Sequence, residues 1–281
     1  MQVSENWGEL LLPGLRTIFN KHIKDMPDYI GKLFSVENST KAQEFSLGTG
    51  DIGTMDPWTG SVSYEDFDKG FKATYTHKKY SKGIQLEREL VDDDQYTEIK
   101  KRVKKLGRTV YYTTQTHAAS VFNNAANAQI LGPDGKPLCS TDHPKMPGSS
   151  SVISNLGTLE LTADNVEATR TAMRKWTDDK GNLIMINPDM LIVPTDLRKK
   201  ARIIAETPDE PDTADHGINV WKGNLAVMEY PFLTDVKGWF LVDSMRMKEY
   251  LYWFWRRKPD FADKVEFDDE VSKYKVNLLP S

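Results

Sequence analysis

The chain has 281 residues, 39% of them hydrophobic and 28% charged, which is the composition of a folded protein rather than a disordered one. A formal net charge of −4 gives no sign of a dedicated nucleic-acid reader, and a single cysteine, Cys139, excludes an internal disulfide and a cysteine-rich metal site. No apolar run of about 18 residues is present that would span a membrane, and residues 1–12 lack the features of a secretory signal.

The first forty residues are predicted to form an arm with one helix. Leu15, Phe19 and Ile23 recur at helical spacing, Pro13 is placed in the first turn, and Pro27 follows the end. A single short helix has little to bury against within its own stretch. We therefore expect this helix to pack on another part of the subunit or on a neighbouring subunit.

Residues 43–80 have the pattern of a long hairpin. Phe45 alternates with polar neighbours on the outgoing strand, and Phe71 and Tyr75 share one face of the returning strand. Turn residues, with Trp58 among them, lie between the two strands. Because a hairpin this long and polar cannot form a core alone, it is predicted to project.

Residues 94 to about 125 are predicted to form one long helix, because Ile99, Val103 and Leu106 recur every three or four positions. Basic residues fall mostly off this apolar stripe, and such a run indicates a solvated helix face. The alternative is a surface that faces packaged DNA through phosphate charge alone. The residues assigned to that alternative are Lys100, Lys101, Lys104, Lys105 and Arg108.

The second half of the chain has an α/β pattern. A long polar loop is expected at 131–157, Thr162 is placed as the N-cap of a helix, and Thr195 as the cap of another. An acidic loop at 207–215 contains Asp209 and Asp212. Strands are expected at 190–193, 225–230, 239–242, 250–255 and 271–278.

Two groups of residues invite a chemical interpretation. Gly48, Gly50 and Gly53 spell GxGxxG, but no helical periodicity follows, so a glycine-rich turn is preferred to a dinucleotide site. Cys139 and His143 are too few for a zinc site. Ser140, with Asp142 and His143, suggests a hydrolase, although catalytic triads are assembled from separate segments and no GxSxG occurs. We therefore expect no catalytic, cofactor-binding or metal-binding residues.

Several stretches of the second half resemble the major head subunit of Mu-like phages and prophages, and their joint order carries the resemblance. These stretches are DGKPLCSTDHP at 134–144, WTDDKG at 176–181, NPDMLIVP at 187–194, NVWKG at 219–223, YPFLTD at 230–235 and WFWRRKPDF at 253–261. The first 130 residues match by organisation more than by motif.

The resemblance implies an α+β fold of the Hong Kong 97 phage capsid type. Its parts are an N-terminal arm, an extended hairpin called the E-loop, a peripheral P-domain with a long spine helix, and an axial A-domain. By this resemblance the arm is 1–42, the E-loop 43–80, the P-domain 81–160 with 241–281 (spine helix about 94–125), and the A-domain 161–240.

The resemblance also implies a function, that of a major capsid protein of a tailed bacteriophage which self-assembles into an icosahedral head around double-stranded DNA. The expected partners are further copies in pentamers and hexamers, a separate scaffolding protein, a portal and non-specifically bound DNA, with no enzyme activity, cofactor or membrane. Assembly is expected in the host bacterial cytoplasm, and the product is the virion capsid. The alternatives are an encapsulin-like compartment shell, another virion structural protein such as a tail protein, and a hydrolase using the 139–143 loop.

Contacts between subunits are expected from the arm, the hairpin and the acidic loop, since these segments have the least internal burial. The residues predicted for these contacts are Leu15, Phe19, Ile23, Phe45, Trp58, Phe71, Tyr75, Asp209 and Asp212. The cross-link between subunits that one member of this fold forms is not carried over to this chain, because no motif identifies an acid catalyst or an acceptor asparagine to go with the hairpin lysines Lys69 and Lys72.

Overall fold

A computed structural model describes residues 7–62, 64–93, 95–208, 218–266 and 271–281. The helices are α1 (Trp7–Lys24), α2 (Ile30–Leu33), α3 (Glu89–Asp92), α4 (Tyr96–Asn123), α5 (Ala163–Arg174), α6 (Arg198–Glu206) and α7 (Ser244–Tyr250). The strands are β1 (Ser35–Asn38), β2 (Gln43–Thr49), β3 (Lys69–Thr76), β4 (Tyr80–Glu87), β5 (His143–Pro144), β6 (Val152–Ile153), β7 (Met190–Val193), β8 (Ala226–Glu229), β9 (Phe240–Val242), β10 (Tyr252–Glu266) and β11 (Val271–Pro280). Across these described ranges, none of the helices has the length and apolar composition that crossing a membrane requires.

The chain packs as two compact units. The first contains Met1–Glu44, Tyr75–Ala118 and Tyr252–Ser281, and the second contains Phe45–Thr74 and Ala119–Leu251. The domain boundaries predicted from the sequence follow a different division and stay a prediction.

The first unit is built on a four-stranded sheet in the order β1-β10-β11-β4. β11 pairs antiparallel with both β10 and β4, while β1 joins β10 in parallel. Helices α1 and α4 supply the apolar side chains that complete this core with Phe261 and Tyr274 of the sheet. Helix α1 passes α4 at Gly107, where a Cβ would make ordinary van der Waals contact, at 3.5–3.6 Å, with His22, Ile23 and Phe19 of α1.

The second unit contains a smaller sheet in the order β8-β7-β9, in which β7 is parallel to β8 and antiparallel to β9. Leu191 and Val193 of β7 are fully buried and pack with Val166 of α5 and Ile204 of α6. The Thr162 side chain accepts a hydrogen bond from the Asn165 amide, as predicted for an N-cap.

Most of the predicted elements are present, and the differences have physical causes. Helix α4 matches the predicted 94–125 closely, whereas α1 begins at Trp7, so Pro13 lies inside the helix instead of in its first turn. Thr195 begins a 3₁₀ turn that precedes α6 and makes no side-chain cap. Helix α7 was not predicted.

Strand β10 is much longer than the predicted 250–255, because the charged stretch after Trp255 continues the strand. Its register against β11 shifts between Trp255 and Arg257 and again between Arg257 and Asp260. Such irregularities accommodate a proline inside a strand, and Pro259 lies within the second one.

Candidate intersubunit surfaces

The predicted hairpin is formed by β2 and β3, which make a two-stranded sheet of their own. The Gly50 amide donates a hydrogen bond to the Asp68 carbonyl at 2.8 Å, and the described residues between them form no helix or strand. Gly48 and Gly70 face each other so closely that a Cβ on Gly70 would lie 2.6 Å from the Gly48 carbonyl carbon. The glycines of the GxGxxG sequence therefore belong to a hairpin and its connecting segment.

The distal part of the hairpin exposes large apolar side chains. The exposed fraction is 99% for Met55, 91% for Tyr64 and 74% for Trp58. Ile52, Val62 and Phe67 are exposed as well, and so are Phe45 and Leu47 on β2. Single exposed apolar residues are ordinary, but a concentration of this kind in one projecting segment is typical of an interaction surface.

The two ends of the hairpin, at Glu44 and Tyr75, belong to the first unit and make polar and aromatic contacts within it. Ser39, which is buried, donates a hydrogen bond to Glu44 at 2.7 Å, and its hydroxyl lies 3.2 Å from His77. The hydrogen bond from Ser39 lowers the pKa of Glu44. The Tyr75 ring contacts Phe254 at 5.1 Å between centroids, so Tyr75 packs within its own subunit.

The remaining hairpin residues predicted for intersubunit contacts differ in exposure. Phe71 is half-buried on the face of β3 that also carries Ala73, as the alternation predicted. Phe45 is 54% exposed, with the Lys72 ammonium 4.2 Å from its ring centroid. Phe45 and Trp58 therefore offer surface to a neighbour, whereas Phe71 offers less.

A contact that the sequence did not reveal joins the distal hairpin to the turn at 178–182. The Lys180 ammonium lies 3.0 Å from Glu65 and 3.4 Å from Asp68. The Asp51 amide donates to the Asp179 carboxylate at 3.2 Å. The only sequence signal for this contact was the stretch WTDDKG, which counted toward the family resemblance and not toward a site.

Helix α1 buries two of the residues that were predicted for intersubunit contacts. Leu15 is 4% exposed and Phe19 is fully buried, and the Phe19 ring lies 5.2 Å from that of Phe261. Ile23 is half-buried against the same core. Leu15 and Phe19 therefore pack on the apolar surface that α4 and the sheet offer within the chain, and their contact with a neighbouring subunit stays a prediction.

The five basic residues of α4 that were assigned to the DNA-facing alternative are exposed, as predicted for residues off the apolar stripe. Lys101 lies 3.7 Å from Glu98, one turn before it. The other four basic residues have no carboxylate within ion-pair distance in the part of the chain that the structure describes, and these are Lys100, Lys104, Lys105 and Arg108. This face is therefore a row of solvated positive charges.

Two further predicted groups have different outcomes. Asp209 and Asp212 lie outside the described residues. In the 139–143 loop, Ser140 donates to Asp142 at 2.6 Å, while the His143 imidazole pairs with Asp134 at 2.5 Å. The serine and histidine thus have separate partners, which is a network that shapes a loop and not a nucleophile with its base.

The thiol of Cys139 is not activated, since burial raises its pKa to about 11. No group of three His, Cys, Asp or Glu residues able to hold a metal ion occurs among the residues that the structure covers.

A sequence model of the phage capsid protein family matches residues 72–277 of the chain. The match covers most of the chain, from the returning strand of the hairpin to β11. No curated protein sequence matches.

Solved structures of shells share the fold. The procapsid protein of bacteriophage JBD30 is 20% identical, with a TM-score of 0.59 over 80% of this chain and 99% of that one. A virus-like particle from Pyrococcus furiosus is 11% identical, with a TM-score of 0.55 over 95% and 92% of the two chains. The capsid of an empty GTA particle is 10% identical, with a TM-score of 0.51 over 91% and 87%.

Proposed function

The chain belongs to the phage capsid protein family and is a phage major capsid protein with an α+β fold of the Hong Kong 97 type, and we propose that it builds the icosahedral head of a tailed phage. In this proposal the subunits form pentamers and hexamers, and each subunit extends its hairpin, the E-loop of that fold, over a neighbouring copy. The observation that carries the proposal is the concentration of exposed apolar side chains between Ile52 and Phe67.

The physical basis is burial of apolar surface. Full burial of one large apolar side chain such as Met55 contributes about 1.5–3 kcal/mol. The distal hairpin has no core of its own in which to bury Met55, Trp58 and Tyr64. Repeated over every subunit of a closed shell, contacts of this size hold a lattice together although each interface is small.

We assign the parts of the subunit by the same fold. The arm is 1–42, the E-loop 43–80 and the A-domain 161–240, with the P-domain formed by 81–160 and 241–281. In this assignment α4 is the spine helix, and the acidic loop with Asp209 and Asp212 lies near the axes of the pentamers and hexamers.

We also propose the partners that a head needs, namely a separate scaffolding protein, a portal and double-stranded DNA, with assembly in the host cytoplasm. The exposed basic face of α4 supports non-specific attraction to DNA phosphates. Shells purified from cells distinguish this proposal from a compartment that packages an enzyme, because the head would contain nuclease-protected DNA and the compartment would contain a cargo protein. The role we propose is structural and not enzymatic, and the separate partners of Ser140 and His143 support it.

The test removes the distal hairpin. Gly50 and Asp68 are joined by a backbone hydrogen bond, so residues 51–67 can be replaced by a short Gly-Ser turn with little strain at the ends. We expect the variant to fold with the circular dichroism spectrum of the original chain and to form no shells. Negative-stain electron microscopy and light scattering, with and without the scaffolding protein, give the result, and normal shells would refute the proposal.

A point variant tests the same idea with a matched control. Trp58 and Met245 are both 74% exposed, but only Trp58 lies on the hairpin. We expect Trp58→Ser to weaken assembly and Met245→Ser to leave it unchanged, with thermal stability unaffected in both variants. Equal assembly defects in the two variants would show that loss of apolar surface anywhere is sufficient, and the hairpin would lose its special role.

A further inference from the structure

The distal hairpin is held against a turn of the same compact unit by three polar contacts. Lys180 contacts the carboxylates of Glu65 and Asp68, and the Asp179 carboxylate accepts from the Asp51 amide. The second carboxylate oxygen of Glu65 accepts from the Gly53 amide at 3.1 Å. Glu65 therefore connects both sides of the distal hairpin to one lysine.

The turn that receives the hairpin is ordered by its own hydrogen bonds. The Asp178 carboxylate accepts from the Lys180 amide at 2.9 Å and from the Asn182 amide at 2.7 Å. Lys145 donates to the Thr177 hydroxyl at 2.6 Å and to the Asp178 carbonyl at 3.0 Å. These hydrogen bonds hold the backbone of the turn that carries Lys180. The Lys180 side chain is only 27% exposed where it contacts the hairpin.

These contacts leave the apolar surface of the hairpin open. Met55, Trp58 and Tyr64 are among the most exposed large apolar side chains of the described residues, while Lys180 contacts Glu65 and Asp68. A contact that inhibited assembly by masking would be expected to cover these side chains. The arrangement instead restricts the backbone and keeps the docking surface accessible.

We propose that this contact is a positioning latch, formed by Asp51, Glu65 and Asp68 on the hairpin and by Asp179 and Lys180 on the turn. The hairpin latch holds the hairpin of the free subunit in the conformation that a neighbouring copy captures, and Lys180 is its central residue. The inference rests on the proposed function, in which the hairpin docks on a second copy of the chain.

The physical reason is conformational entropy. A segment such as 51–67, whose described residues form no helix or strand, loses many conformations when it docks, and this loss opposes association. A latch that restricts the segment beforehand transfers part of the loss to the folding of the subunit. A single exposed ion pair contributes little to stability, but a lysine shared by two carboxylates is sufficient to bias a flexible segment.

The test compares Lys180→Glu with a matched control, Lys175→Glu, which alters the same charge on an exposed lysine nearby. Hydrogen exchange of residues 51–67 is measured on the full chain at a concentration too low for assembly, and light scattering then follows assembly. We expect Lys180→Glu to exchange about two- to fivefold faster, the range that exposed ion pairs support, and to assemble more slowly. Lys175→Glu is expected to match the original chain in both measurements.

The triple variant Lys180→Glu, Glu65→Lys and Asp68→Lys reverses the three charges of the two ion pairs. It is expected to exchange more slowly than Lys180→Glu and to recover part of its assembly rate, although a lysine at position 65 cannot accept the hydrogen bond from the Gly53 amide. Unchanged exchange in Lys180→Glu would overturn the latch, and faster assembly would show that the contact opposes capture. If the original chain and the Lys175→Glu control form no shells, the proposed function itself fails. If the original chain assembles and Lys180→Glu changes neither hydrogen exchange nor assembly, the latch is refuted and the proposed function is not.

Discussion

Helix α1 and the hairpin look alike in the sequence, because both are apolar segments without a core of their own, yet they bury their side chains differently. Phe19 of α1 is fully buried against α4 and the sheet, whereas Phe45 of the hairpin is 54% exposed. The difference lies in what the rest of the chain offers. Buried apolar side chains of α4 and the sheet pack against α1, and the described residues offer the distal apolar side chains of the hairpin no comparable partner.

The comparison predicts that the same substitution lowers the free energy of unfolding strongly in α1 and hardly at all in the hairpin. Phe19→Ala removes a ring packed 5.2 Å from Phe261 and is expected to lower the free energy of unfolding by about 3–5 kcal/mol. Phe45→Ala is the matched control and is expected to change it by less than about 0.5 kcal/mol. Denaturant unfolding of the unassembled subunit measures both values, and similar losses would remove the distinction between the segments.

A smaller effect should separate the two regions by pH. In the first unit, burial lowers the pKa of His117, and the charge of Lys78 adds to this effect. Because the pKa of His117 is lower in the folded chain than its ordinary value of 6.5, the unfolded chain binds the proton first as the pH falls. The fold therefore has its full stability above pH 6.5 and loses stability as the pH falls from 6.5 through the lowered pKa. His117→Phe keeps an aromatic ring beside Trp253 and should flatten the decline in unfolding free energy below pH 6.5. If the unfolding free energy of His117→Phe falls as steeply below pH 6.5 as that of the original chain, other groups cause the decline. His77 is one candidate, because its pKa is lowered as well.

The hairpin latch has a different pH window, since its hydrogen bond from Lys180 lowers the pKa of Glu65 while Glu65 raises that of Lys180. The contribution of the latch to stability is complete between pH 4.5 and pH 10.5, the ordinary pKa values of a glutamate and a lysine. It is lost as the pH falls through the lowered pKa of Glu65, and also as the pH rises above 10.5 through the raised pKa of Lys180. Hydrogen exchange of residues 51–67 should therefore stay slow at pH 5.5, where the first unit already loses stability, after correction for the intrinsic exchange rate. Faster corrected exchange at that pH would show that the two regions are not independent.

The elements with strong periodicity were predictable from the sequence. The stripe of α4 and the alternation of β3 identify both the element and its buried face, because these patterns are local. The partner of a buried face is not local, and so the burial of Leu15 and Phe19 against α4 could not be predicted. The same holds for β10, whose charged residues after Trp255 stay in the strand because β11 pairs with them.

The candidate surfaces were predictable to the same extent. The hairpin was identified as projecting, and the exposure of Trp58 agrees with a role at its tip, although contact with a neighbour stays a prediction. The contact of Lys180 with Glu65 and Asp68 spans more than a hundred residues of chain, and no motif marks it. Ion pairs of this separation depend on tertiary structure alone.

The face-to-face glycines at the neck of the hairpin also bear on how such a protein diversifies. Since a side chain on Gly70 has no room beside the Gly48 backbone, the neck tolerates little variation, while the segment beyond it exposes its large apolar side chains and contacts the turn at 178–182 through Asp51, Glu65 and Asp68. We expect Gly48 and Gly70 to bound a module that could be exchanged if the three contact residues were kept. Recombination that swaps the tip between related genes at this boundary would alter how subunits recognise one another and leave the body of the subunit intact.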